Sequence, residues 1–165
     1  MVALIVKLAV IFQASSICLG VGASTLAISS FLAALYDNQI DPSERRMLGV
    51  IYVTLRVAMV SIFITTALIA WFGPQFFGTY MHYLWVLIAV LFVNATAMTK
   101  HWIPSKFGPA IQAATWYTLG FMVTIHMFQL FSVSWFAFGL LYAADIVTAY
   151  VVVNGYLAWR KRQRV

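Results

Sequence analysis

Arg56 and Asp145 are the two charged side chains set deep inside the long apolar segments of this 165-residue chain, and His126 is a third ionisable group placed in the same way. A charge in hydrocarbon costs several kcal/mol unless it finds a partner or water, so such residues are functional candidates by default. Their chemistries differ. An arginine stays protonated and serves as a fixed counter-charge, a carboxylate can titrate or bind a ligand, and an imidazole can relay a proton. With a helical rise of about 1.5 Å per residue, Arg56 should lie roughly 12 Å from the cytoplasmic boundary, Asp145 roughly 19 Å and His126 roughly 25 Å. Snorkelling of an arginine over ~6 Å brings pairing of Arg56 with Asp145 within reach. Tyr52, Tyr142 and Gln129 add hydrogen-bonding groups to the same set. The working alternative is an ion pair that locks two helices and does nothing else, since buried pairs can specify structure alone.

A second constellation combines Met81 and His82 with Met122, His126 and Met127. His82 and His126 could ligate a b-type haem, and the thioethers with the imidazoles suit copper in its soft, reduced state. Neither spacing is specific; apolar helices contain methionine anyway, and His82 also fits a headgroup-level position. Catalytic patterns are missing: the sequence has no nucleophile elbow, phosphate loop, HExxH or paired carboxylates. Asp37, Asp41 and Glu44 lack the alternating ligands of an EF-hand. Cys18 is the only cysteine, which rules out an intrachain disulfide and a CxxC site. An enzyme remains open only if its chemistry lies within the bilayer, and a non-enzyme is the favoured reading.

The elements that must hold these groups follow from composition. The chain is 64% hydrophobic and 8% charged, against about 25% charged in soluble domains. It reads as an all-α integral membrane protein with the lipid bilayer as its first partner. The net charge of +6 sits at loop ends and in a tail. It forms no continuous basic face, so nucleic acid is excluded as a partner. A crossing needs roughly 20 apolar residues for about 30 Å of hydrocarbon. Five segments qualify, at 8–36, 47–72, 81–99, 109–130 and 134–159, forming one bundle over 1–159 with a basic tail at 160–165. Asp41-Pro42-Ser43-Glu44 is a helix start, with Asp41 as N-cap, Pro42 in the first turn and Glu44 reaching back. Gly73-Pro74, Gly78, Pro104 and Gly108-Pro109 mark other breaks, and the turn between Gln129 and Ser134 is the least marked. The first segment reads as a retained span, either unbroken and tilted or broken at Gly20-Val21-Gly22.

Arg45, Arg46, Lys100, Lys106, Arg160, Lys161, Arg162 and Arg164 fall on one side of this arrangement and only Lys7 on the other. The positive-inside rule then puts the N-terminus outside and the C-terminus in the cytoplasm, as in a bacterial cytoplasmic membrane. Trp71, Trp85 and Trp135 lie near outer ends, Trp102 and Trp159 near inner ends, and Trp116 deeper, where it should pack inside the bundle. Ser16, Gly20 and Ser24, four apart, allow close approach of another helix. Asn94 is expected to hydrogen-bond across helices. Three polar seams emerge at spacings of three and four: Gly49, Tyr52, Arg56, Met59, Phe63 and Thr66; Gln112, Thr115, Leu119, Met122, His126 and Gln129; and Phe138, Tyr142, Asp145, Ala149, Val152 and Tyr156. Turned inward, these seams would form a polar interior that binds or conducts a small solute or protons. The other readings are a haem or copper electron-transfer protein, and a non-catalytic accessory subunit of a larger membrane complex or homo-oligomer.

Overall fold

The computed structural model describes the backbone of residues 2–37, 41–73, 78–103 and 107–162, with side chains at 2–30, 41–73, 78–103, 107–152, 154 and 155. The expectations for Pro74, Pro104 and Lys106, and for the side chains of Asp37, Tyr156, Trp159 and the run 160–165, lie outside the described residues. Five helices make up the described chain, with no strand among them: α1 (Val2–Asp37), α2 (Pro42–Phe72), α3 (Gly78–Thr99), α4 (Gly108–Met127) and α5 (Trp135–Arg162).

Helix α1 runs through Gly20 and Gly22 without a break. No proline or polar turn residue interrupts that stretch, so nothing offers its backbone an alternative to the helical ladder. Helix α2 starts where the sequence indicates. Asp41 is extended at φ −60° and ψ 153°, Pro42 fills the first turn, and the Asp41 N–H donates to a Glu44 carboxylate oxygen at 3.0 Å.

Helices α3 and α4 end on the same device. His101 and Gln129 adopt positive φ, 56° and 48°. Behind them Trp102 N–H bonds the Ala97 carbonyl at 2.8 Å and Leu130 N–H bonds the Ile125 carbonyl at 3.2 Å. Inner bonds run from His101 N–H to Met98 O and from Gln129 N–H to His126 O. These are Schellman closures, with non-glycine residues in the left-handed position that glycine usually fills. The closure ends α4 at Met127, earlier than the 130 expected, and α5 extends into the basic run as far as Arg162.

Helices α1, α2, α3 and α5 are long and apolar enough to cross a membrane. Helix α4, expected as a fifth, is not among them. Its 20 residues include Gln112, Thr115, Tyr117, Thr118, Thr124 and His126. It can carry them because it packs against α1, α3 and α5, so much of its surface meets protein. Ala110, Ala113, Ala114, Thr115, Trp116, Thr118, Leu119 and Met122 are all buried. The most extensive interface is that of α1 with α2, while α5 rests mainly on α4, and among the described residues α2 and α5 share no substantial interface.

Trp116 is fully buried at the centre, in one cluster with Ile17, Ile62, Leu84, Leu87, Leu91 and Leu119. Ser16, Gly20 and Ser24 all face inward, and Gly20 lies against the Trp116 ring, so the small-residue face of α1 serves packing within the bundle. The outside is as apolar as the inside. Along α2 alone, Val50, Val53, Val57, Val60 and Ile64 are exposed. Contiguous apolar surface on that scale is foreign to water-soluble monomers.

Candidate functional site

The α2 seam is split: Met59 and Thr66 face inward as expected, whereas Gly49, Tyr52, Arg56 and Phe63 do not. The buried residues of α2 are Ile51, Leu55, Ala58, Met59, Ile62, Thr65, Thr66 and Ile69. Tyr52, Arg56 and Phe63 stand one residue, about 100° of helical turn, off that line, and all three are exposed. Arg56 therefore faces out of the bundle. It forms no ion pair among the described residues and borders an open groove along α1 and α2. Pairing with Asp145 is not formed, because Asp145 belongs to α5, which among the described residues shares no substantial interface with α2. Since α2 is apolar on nearly every side, periodicity could not choose which stripe turns inward.

The α5 seam fares differently. Phe138 and Ala149 are buried, Tyr142 and Asp145 are half-buried against α4, and Val152, expected on the same face, is exposed. The Thr118 hydroxyl donates to the Asp145 carboxylate at 2.6 Å, and one turn away the Thr115 and Tyr142 hydroxyls are 2.9 Å apart. Thr115 and Thr118, on one face of α4, thus meet Tyr142 and Asp145, on one face of α5. Thr115 also donates to the Ile111 carbonyl at 2.7 Å, which fixes its rotamer. Alanines Ala110, Ala113, Ala114 and Ala149 bring the two backbones close enough for these short side chains to touch. Among the described residues no cation pairs with the Asp145 carboxylate.

His126 does not extend this seam. It stacks on Tyr80 of α3, with ring centroids 4.1 Å apart and planes 3° from parallel. The two rings line a small cavity of about 220 Å³ together with Met122, Tyr83 and the segment Phe131–Val133. Tyr83 closes that end by donating to the Val133 carbonyl at 2.7 Å. His82 lies two residues beyond Tyr80, about 200° around α3, and is exposed. His82 and His126 therefore point to different sides of α3 and cannot be the two axial ligands of one haem. Met81 and Met122 are buried, whereas Met127 is 58% exposed and faces away. Among the described residues, no three of His, Cys, Asp and Glu come close enough to share a metal ion. Gln129 takes no part in the polar set; it is exposed and closes α4.

Several other polar groups pair across helices, while the buried Trp116 Nε1 and Asn94 Oδ1 have no hydrogen-bond partner among the described residues. Gln13 donates to Thr66 at 2.8 Å, Ser16 and Ser61 hydroxyls are 2.6 Å apart, and Thr25 meets Tyr117 at 2.7 Å. Asn94 donates to the Gly108 carbonyl at 2.9 Å and to Gln112 at 3.0 Å, as its position inside the third segment led us to expect. Sequence reasoning missed Gln13, Tyr80 and Thr118. Gln13 carried a signal, as the one amide within the apolar run of α1. Thr118 carried none, because threonine is tolerated on any face of such a helix.

These features define a small helical bundle with four helices long and apolar enough to span a bilayer. No protein-family model matches the chain, and no curated protein or solved structure shows significant similarity to it.

Proposed function

We propose that the chain is an integral membrane protein, inserted with its N-terminus outside and its C-terminus in the cytoplasm of a bacterial cell. In this reading it binds a proton or a small cationic solute at Asp145. All five helices cross, α4 at the centre and shielded from lipid by α1, α3 and α5. One observation carries the binding reading: a carboxylate midway along α5 has a neutral hydroxyl as its partner, at 2.6 Å, and no cation beside it among the described residues. A carboxylate placed in hydrocarbon without a countercharge is a working group by default. Its surroundings suit a small, hydrogen-bonding cation, since Tyr142 and Thr115 supply further oxygens one turn away. Binding is favoured over conduction because Trp116, Leu87, Leu91 and Leu119 fill the bundle axis.

Two measurements test this. In a Cys18→Ser background, Ser43→Cys should react with an impermeant maleimide only from the cytoplasmic side, and Ser132→Cys only from outside. In vesicles, Asp145→Asn should abolish proton or cation binding while Thr118→Val weakens it. Unchanged binding in Asp145→Asn would remove the proposal.

A second reading, an accessory subunit of a membrane complex, has its own support. Helix α5 leaves Phe136, Leu140, Val147, Val151 and Val152 uncovered, an apolar face that suits a neighbouring helix as well as lipid. Stoichiometric co-purification in mild detergent, with no solute binding by the isolated chain, would favour it.

A further inference from the structure

Arg56 is the side chain that the bundle leaves unexplained. Its guanidinium cannot shed its proton, it has no acidic partner among the described residues, and it stands at one end of an apolar groove of about 580 Å³. The groove is walled by Phe12 of α1 and by Val57, Val60, Ile64 and Leu68 of α2. From Arg56 to Leu68 it runs about 18 Å along the helix axis at 1.5 Å per residue. One cation at the head of a long apolar channel is the complement of an amphiphile with an anionic head and a hydrocarbon tail.

The face of α2 leading to Arg56 fits such a head. Arg45, Gly49, Tyr52 and Arg56 recur at spacings of four, three and four, and all are exposed. Side chains on a helix tilt toward its N-terminus, so the Tyr52 hydroxyl and the Arg56 guanidinium both lean toward Pro42, the end assigned to the cytoplasm. Between them and Arg45, Gly49 has open space where a side chain would stand. Guanidinium binds phosphate through paired N–H bonds, and a phenolic hydroxyl adds a donor.

We propose that this groove is a binding site for an anionic phospholipid of the cytoplasmic leaflet. Arg56, whose guanidinium reaches ~6 Å toward the cytoplasmic surface, and Tyr52 hold the phosphate, and one acyl chain lies along Val57 and Val60 toward Ile64. The inference rests on the membrane orientation proposed above. It assigns Arg56 a task separate from Asp145.

The test is native mass spectrometry of the full chain released from bilayers holding equal phosphatidylglycerol and phosphatidylcholine. One arginine near a headgroup contributes about 1 kcal/mol, so retained phosphatidylglycerol should exceed phosphatidylcholine about fivefold. Arg56→Gln should bring the ratio to about one, Arg56→Lys should keep part of it, and Arg45→Gln should keep most of it. Val60→Phe with Ile64→Phe should lower retention of both lipids with Arg56 intact. Equal retention by the unaltered chain would overturn the site. So would loss of preference in Arg45→Gln but not in Arg56→Gln, which would mean surface attraction alone. A dimer carrying no lipid, broken by Arg56→Gln, would give the groove to a second copy and overturn it as well. Carbonate extraction of the same membranes separates the two proposals: release of the chain overturns both, whereas a retained chain without lipid preference overturns only the lipid site.

Discussion

Gly20 of α1 lies flat against the indole of Trp116 in α4. A Cβ at Gly20 would fall 2.6 Å from Cδ2 of that ring and closer still to Cε3 and Cζ3. Such a contact cannot be relieved by rotating a flexible tip, because the ring is rigid and Trp116 is fully buried. The missing side chain at Gly20 and the bulk of Trp116 are therefore one fitted feature, and it sets how closely α1 approaches α4.

Gly20→Ala should destabilise the bundle by about 1–3 kcal/mol, the usual range for overpacking. Trp116→Leu should also destabilise, by leaving a cavity. Combined, the two should cost less than their sum, since the cavity receives the new methyl group. Unfolding of the four proteins in mixed detergent micelles gives the coupling energy. Strict additivity would mean that the helices move apart instead and that the fit is not specific.

Removing the hydroxyl at the α4–α5 seam separates structure from function. Interhelical hydrogen bonds in membrane bundles average about 0.6 kcal/mol and reach about 1.7. Thr118→Val should fall in that range, and Asp145→Asn, which keeps an acceptor for Thr118, should stay within about 0.5 kcal/mol of the unaltered chain. A loss of several kcal/mol in Asp145→Asn would make the carboxylate a structural anchor rather than a ligand group.

Features fixed by neighbouring residues were legible in the sequence. The start of α2 could be read from Asp41, Pro42 and Glu44, because a cap is built within four residues. The burial of Trp116 and the cross-helix bonds of Asn94 followed from depth within an apolar run. The inward face of α5 was legible from Phe138, Tyr142, Asp145 and Ala149 because polar and bulky residues there repeat with the helix. The facing of Arg56 was not, since valines and isoleucines surround α2 and the Leu55–Ile62 stripe is no more apolar than the Val57–Ile64 stripe. Nor could the sequence join Gln13 to Thr66 or Tyr80 to His126, because such pairs depend on which helices become neighbours and in what register.

The Gln13–Thr66 bond offers a test of burial. Both side chains are almost wholly enclosed, at 1% and 0% exposure, and the amide donates to the hydroxyl at 2.8 Å. Thr66→Val strands the amide and should cost about 1–3 kcal/mol, the penalty for an unsatisfied buried group. Gln13→Leu in addition should recover a large part of that loss, because two apolar groups of similar shape replace the polar pair. If the double variant is worse than either single one, the pair does more than satisfy itself.

The two Schellman closures give a prediction of opposite sign. His101 and Gln129 hold φ of 56° and 48°, where a side chain on Cα costs roughly 1–2 kcal/mol and glycine does not pay it. Neither side chain is enclosed, both being exposed, so little packing is lost when it is removed. Lys100 stacks its ammonium over Trp102 at 4.7 Å, and that contact survives a change at His101. His101→Gly and Gln129→Gly should therefore each raise stability by about 1 kcal/mol, after the added freedom of glycine in the unfolded chain is subtracted. Because the sites lie at opposite ends of the bundle and share no partner, the gains should add. Equilibrium unfolding of the two single variants and the double variant measures this. A loss of stability at His101 alone would show that its imidazole makes a contact the left-handed turn exists to position.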